Sequence, residues 1–266
     1  MPRDGWADAP VHNVLVLNYD LEASTYDRTR GGDARAASAA EAVETLLPAD
    51  VGSLADLACG TGIVTARLSA RRVVGVDLSQ GMARVASGRL PGRVTVADVT
   101  RLPLADASVD AVVMIWLLHL LDHATSAAAL SEAARVLRPG GTLITTVDKE
   151  AAYFATPCDT ADLIAPVRAL SLTPQSDAAP RVAGLVAALD LEPSGQTTFP
   201  GDGQGHSPRA WAAALLAHRP AWTKNADARA LTELCDRLRA LPDQETPRPD
   251  PVYRLARFTK ASTGAI

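Results

Sequence analysis

The chain predicts an α/β fold, a doubly wound and mostly parallel sheet, and three observations carry that prediction. Four apolar runs recur at strand length, around Leu54–Leu57, Arg72–Asp77, Val94–Asp98 and Asp110–Trp116, each followed by helical or turn-rich sequence. The segment Leu137-Arg138-Pro139-Gly140-Gly141-Thr142-Leu143-Ile144 then closes a helix with a Pro-Gly-Gly turn and opens a fifth strand. The first run passes through Asp56 into the loop Ala58-Cys59-Gly60-Thr61-Gly62, and a helical pattern of Ile63, Val64, Ala66 and Leu68 follows it. Parallel strands need crossovers, so the sheet is expected to be covered on both faces.

The loop after the first strand carries chemistry as well as topology. Small residues at a strand end let a ligand approach the backbone, and a helix starting there offers free N–H groups to a polar or negative group. That is a nucleotide-type pocket, although a short Gly-rich turn also occurs as a mere tight turn. Asp77 ends the second strand 21 residues after Asp56, the strand-helix-strand spacing at which a carboxylate takes both hydroxyls of a ribose. Asp98 ends the third run in the same manner.

Four of these motifs together resemble the class I S-adenosylmethionine-dependent methyltransferases, in particular the small-molecule group. That group carries a DxGCGTG loop, a GxDxS second strand, a D…LPF…FD segment and an LRPGG turn. The matching residues are Asp56 to Gly62, Gly75-Val76-Asp77-Leu78-Ser79, Asp98 with Leu102-Pro103-Leu104 and Val109-Asp110, and Leu137 to Gly141, in order over roughly residues 13–150. Ala58 stands where the family has its first glycine, and Leu104 and Val109 replace its aromatics.

The resemblance implies a Rossmann-like sheet of seven strands and S-adenosyl-L-methionine as cofactor. It implies that the backbone from Ala58 through Cys59 and Gly60 to Gly62 lies under the methionine part, with Asp56 at the base of the loop, and that Asp77 holds the ribose. Asp98 would accept from the adenine amino group beside the Val99 N–H, Leu78 and Met82 would sandwich the base, and Ile115 would close the set at the fourth strand. Asp98 has a second reading as a cap for the turn that follows it. Upstream, Asn18-Tyr19-Asp20 and Tyr26-Asp27-Arg28-Thr29-Arg30 are similar to the family's N-terminal lid. Tyr19 and Tyr26 would then close over the cofactor and Arg30 reach its carboxylate; a solvated turn with a packed aromatic is the alternative.

Length and composition suit one enzyme-sized domain over residues 1–266, with lid and helix in 1–47, cofactor core in 48–150, and substrate cap and last strands in 151–266. A net charge of −4 with scattered arginines argues against a nucleic-acid groove. The sequence Met114-Ile115-Trp116-Leu117-Leu118 lacks the proline-rich aromatic motif of enzymes that methylate DNA bases. Cys59, Cys158 and Cys235 are far apart and without metal spacing, and Met1–Trp6 shows no apolar leader, so a soluble, cytoplasmic protein, monomer or homodimer, is expected. Beyond the fifth strand the pattern predicts a helix over Ala178–Leu189, a sixth strand over Gln196–Pro200, helices from Ser207-Pro208 and over Ala226–Leu241, and a last strand over Val252–Phe258.

Methyl transfer needs alignment and water exclusion, and a base only where the acceptor loses a proton. His119, just past the fourth strand, is the best-placed base, with packing as its other reading. His12, His123, His206 and His218 are less well placed, although His206 follows a Gly-rich loop that could bring it to the site. Asp148 stands alone after the fifth strand, so no metal is expected. Trp116, Tyr153, Phe154, Phe199, Trp211 and Trp222 are candidates for an apolar acceptor pocket or for core. The expected reaction is methylation of an O, C or N atom of a small, rather apolar metabolite. A nicotinamide-dependent reductase and a non-catalytic cofactor binder of the same fold are the rivals; a strict G-x-G-x-x-G and a Tyr-x-x-x-Lys pair, which the reductase needs, are missing.

Overall fold

A computed structural model describes residues 18–170, 175–218 and 220–262; Met1–Trp6 and His12, considered above, lie outside them. The strands are β1 (Ser53–Leu57), β2 (Arg72–Asp77), β3 (Val94–Val96), β4 (Val109–Met114), β5 (Leu137–Val147), β6 (Leu191–Pro200) and β7 (Val252–Lys260). They form one seven-stranded sheet in the order β3-β2-β1-β4-β5-β7-β6. The first five are parallel, and β7 runs antiparallel between β5 and β6. The order reverses between β1 and β4, and a crevice at the carboxyl ends of such strands is where open α/β sheets take ligands.

Helices α1 (Tyr19–Glu22), α2 (Tyr26–Thr29) and α3 (Gly32–Leu46) precede the sheet, α4 (Gln80–Arg89) follows β2 and α5 (His123–Val136) follows β4. After β5 come α6 (Asp159–Ala169) and α7 (Ala179–Ala187), and between β6 and β7 lie α8 (Pro208–Leu216) and α9 (Ala228–Arg239). Side chains start several of these: Ser79 accepts from the Met82 N–H, Asp122 from Thr125, Ser207 from Ala210 and Asp227 from Ala230. Each such N-cap is worth about 1 kcal/mol.

Strand β4 shows how both faces are covered. Ala111 and Val113 pack with Leu54, Val73 and Ile144 against Val43 of α3, whereas Val112 and Met114 pack with Leu57, Val76 and Leu143 against Leu130 of α5. Full burial of one such side chain contributes about 1.5–3 kcal/mol. A third cluster, of Ile164, Trp211, Leu215, Trp222, Leu234 and Leu238, joins α6, α8 and α9 into the cap. The segment 201–251 leaves and re-enters the sheet across one hydrogen bond, Gly201 N–H to Pro251 C=O at 2.7 Å.

Three expectations change. The helix expected after the glycine loop is a single 3₁₀ turn, Thr65–Arg67, because Leu68 already turns extended and residues 58–71 must supply loop, turn and return to β2. Pro139-Gly140-Gly141 lies inside β5, which starts at Leu137, as an irregularity against β4 between Val109 and Ala111. Strand β6 begins five residues early; Pro193 and Gly195 mask it in sequence and produce its register shift against β7, as edge strands tolerate.

Candidate functional site

The loop at the end of β1 turns through three left-handed residues, Ala58, Gly60 and Gly62, at φ 59°, 56° and 72°. A side chain on Gly60 would meet nothing within 4 Å, so its outer face is open to a ligand. One on Gly62 would press against Ala86 of α4 at 3.1 Å, and one on Gly75 would strike the Cys59 sulfur at 2.7 Å. Cys59 therefore fills the notch that Gly75 leaves, and burial raises its thiol pKa, which keeps it protonated and unreactive. Asp56 sits behind this loop, 4% exposed, and accepts the Thr65 hydroxyl at 2.6 Å. Burial pushes its pKa up to about 7, with Asp77 adding to the rise. Its place is thus to hold the loop from beneath.

Asp77, at the tip of β2, accepts the Gly60 N–H on Oδ2 at 2.8 Å and the Ser79 N–H on Oδ1 at 2.9 Å. Each oxygen keeps a lone pair for a further donor. Leu78 next to it is 69% exposed, an apolar face without cover, whereas Met82 is enclosed in α4's packing at 2%. Of the two residues expected to sandwich a base, only Leu78 offers its surface. Asp98 is exposed and uses Oδ1 to accept from the Thr100 N–H and hydroxyl, both at 2.8 Å, so it shapes its own turn while Oδ2 stays outside that turn's bonding. Val99 and Ile115 are buried at 8% each, at the ends of β3's turn and β4.

Two of the lid's acids latch it, Asp20 to the start of α4 and Asp27 to the loop. Asp20 Oδ1 accepts the Ser79 hydroxyl at 2.7 Å and the Gly81 N–H at 2.6 Å. Asp27 accepts the Thr61 hydroxyl and the Arg89 guanidinium. These bonds bring Tyr19 and Tyr26 together edge-on at 6.1 Å, with Arg30 over the Tyr26 ring at 5.5 Å and paired to Glu22 at 3.4 Å. Burial, with Tyr26, Glu22 and Asp77 nearby, pushes the Tyr19 pKa up to about 12. The lid latches, with partners 34 and more residues away, have no local sequence signal.

On the far side of the crevice, His119 stands in a 3₁₀ turn (Leu118–Leu120) past β4. Burial and the nearby Lys149 ammonium hold its pKa well below the usual imidazole value, so the ring is neutral at pH 7. Trp116 is wedged against Phe199 and Tyr253, with centroids at 5.8 and 5.5 Å, and Arg35 of α3 lies 4.0 Å over its ring. Phe199, Trp211 and Trp222 are core residues, while Trp116 and Tyr153 are partly exposed. His206 packs against Tyr153 and Trp211, with ring centroids at 5.2 and 4.9 Å. Arg35 and Lys149 escaped the sequence reading. A signal existed for Arg35: it shares helical spacing with buried Ala39, Val43 and Leu46, a charge on the apolar face.

Among the described residues no three His, Cys, Asp or Glu side chains gather as a metal site. Asp148 is engaged with Arg254 and with the Ala179 N–H.

The reversal of strand order, the glycine loop and the acid at the tip of β2 are the architecture of the doubly wound class. Residues 55–145 match the family model described as a methyltransferase domain. The chain is 38% identical over 132 residues to an uncharacterized methyltransferase of Mycobacterium tuberculosis, covering 48% of this chain and 51% of that protein. It is 44% identical over 105 residues to a demethylmenaquinone methyltransferase of Beutenbergia cavernae, covering 38% of this chain and 40% of that one. The chain thus spans about half the length of the first of these relatives, and less of the second. In fold it is similar to a SAM-dependent methyltransferase from Thermotoga maritima (TM-score 0.54, 18% identity, 91% of this chain and 98% of that one). It is equally similar to the [4+2]-cyclase SpnF (TM-score 0.55, 21% identity, 92% and 94%). The methyltransferase-domain match is thus confined to residues 55–145, and the fold is shared with SAM-dependent methyltransferases.

Proposed function

We propose that the chain methylates an O, C or N atom of a small, largely apolar metabolite, with S-adenosylmethionine as donor and without a metal. The observation that carries this reading is the pairing of the open Gly60 face with Asp77. The loop backbone and the Asp77 carboxylate suit a nucleoside bearing two vicinal hydroxyls, and uncovered Leu78 suits the flat face of a base. When bound, S-adenosylmethionine supplies an electrophilic sulfonium methyl. The chain's own work is then positional: Tyr19 and Tyr26 shield the crevice from water, Arg30 faces the cofactor's carboxylate, and Asp98 Oδ2 accepts from the base. His119, neutral and on the acceptor side, takes the acceptor's proton or orients it. The absence of a membrane-crossing helix among the described residues and the free state of Cys59, Cys158 and Cys235 support a cytoplasmic setting.

Calorimetry with S-adenosylhomocysteine tests the reading. The wild-type protein is expected to bind it, and Asp77→Ala to lose about 2–4 kcal/mol, two hydrogen bonds to a charged acceptor. Binding of NADH in its place would overturn the assignment. Incubation of purified protein and donor with cell extract, followed by mass spectrometry, identifies the product, and turnover is expected to survive EDTA.

A further inference from the structure

Arg35 is a buried arginine without a carboxylate. It is 7% exposed, it stacks on Trp116 with Tyr26 close by, and among the described residues no acid lies within ion-pair distance of it. The Lys149 ammonium, after β5, likewise makes no ion pair or hydrogen bond among the described residues. Glu150 and Asp177 lie in its neighbourhood, but Asp177 Oδ2 is taken by the Lys149 backbone N–H at 2.8 Å. Trp116, under the Arg35 guanidinium, has its indole Nε1 buried with no partner. Its backbone is fixed at a left-handed φ of 55° by the bond from its N–H to Thr146 Oγ1 at 3.0 Å. Arg30, Arg35 and Lys149 are close enough for their charges to act on one another.

A buried guanidinium beside further cations is costly unless something negative joins it. On the methyltransferase reading the cofactor's carboxylate is met by Arg30, which lies near Tyr19 on the loop side. The Lys149 charge instead lies near His119, the residue on the proposed acceptor side. We propose that the acceptor carries an anionic oxygen group, a carboxylate or an ionised hydroxyl, seated among Lys149, Arg35 and the Trp116 indole N–H. This rests on the methyltransferase reading and narrows its substrate to an aromatic or apolar body with one negative oxygen group. Trp116, backed edge-on by Tyr253, supplies the apolar wall, and the Arg35 cation stiffens the Trp116 ring by stacking on it.

The test titrates 1-naphthoate, 4-nitrophenolate and the neutral 1-naphthamide into protein saturated with S-adenosylhomocysteine. At least one anion is expected to bind about tenfold tighter than the amide, the size of effect a close charge pair gives. Lys149→Met is expected to erase that preference and Lys149→Arg to keep most of it, with S-adenosylhomocysteine affinity unchanged within about twofold. A naphthoate preference marks a carboxylate, a nitrophenolate preference an ionised hydroxyl. The proposal falls if neither anion outbinds the amide. It also falls if Lys149→Met weakens S-adenosylhomocysteine as much as the anion, which would assign Lys149 to the cofactor. If S-adenosylhomocysteine does not bind at all, the methyltransferase reading fails, and the same three probes titrated into the free protein decide the anion site on their own.

Discussion

The Asp27 carboxylate accepts the Thr61 hydroxyl at 2.5 Å, which ties the lid to the loop that it covers. Its other oxygen takes Arg89 at 2.7 Å, and Arg89 donates to the Thr61 carbonyl at 2.7 Å, so three residues close a ring around the loop's middle. Asp27→Asn keeps the size and removes the charge. It is expected to weaken S-adenosylhomocysteine binding about tenfold and to speed amide exchange over residues 19–32, since the charge-assisted bonds are worth about 1.5–3 kcal/mol in total effect. Calorimetry and hydrogen exchange by mass spectrometry read the two effects separately.

Ala58 is the loop's strained residue, at φ 59° where an L side chain costs about 1–2 kcal/mol. Ala58→Gly relieves that strain, against a smaller gain in unfolded-chain entropy, for a net stabilisation of about 0.5–1 kcal/mol. The expected rise in Tm is about 1–4 °C, read by calorimetric unfolding.

Asp56 gives a pH dependence with a definite sign. Its folded pKa of about 7 lies above the ordinary carboxylate value, so between the two the folded state holds one proton more than the unfolded chain. This group's contribution to stability is therefore full below about pH 4 and declines as pH rises through 7, at up to about 1.4 kcal/mol per pH unit. Asp56→Asn keeps an acceptor for Thr65 and removes the titration. The variant is expected to gain on the wild type from pH 5 to pH 8 in urea unfolding; parallel curves would show Asp56 ionised throughout.

His119 is held neutral, so turnover is expected to lack a protonation limb in the ordinary imidazole range near pH 6.5. His119→Ala is expected to lower kcat about 10²- to 10⁴-fold with cofactor affinity nearly unchanged. Recovery by His119→Gln would make the ring an orienting partner; full activity in His119→Ala would make it packing.

The parallel half of the sheet was legible because buried strands read as unbroken apolar runs, and β2 matches its expected limits of Arg72 and Asp77. Helices with a sequence-marked start, such as α8 at Ser207-Pro208, were equally plain. The failures have physical causes. Ile63, Val64 and Leu68 imitate a helix, yet the short return to β2 leaves room for one 3₁₀ turn. Met82 has the apolar character of a base-stacking residue, and only packing shows that α4 keeps it inside. The lid latches and the Arg35–Trp116 stack join residues far apart in sequence, where no local pattern records the partner.

The single hydrogen bond between Gly201 and Pro251 has an evolutionary consequence. The stretch from the Gly-rich loop through α8 and α9 leaves and re-enters the β6–β7 ladder at one residue pair, where Pro200 faces Val252, and rests on α6 besides. A short hairpin turn would close the same ladder, so lineages are free to exchange, lengthen or trim this excursion while β1, β2 and their loop stay untouched. A chimaera that swaps residues 201–251 for a relative's counterpart should therefore keep this chain's affinity for the donor.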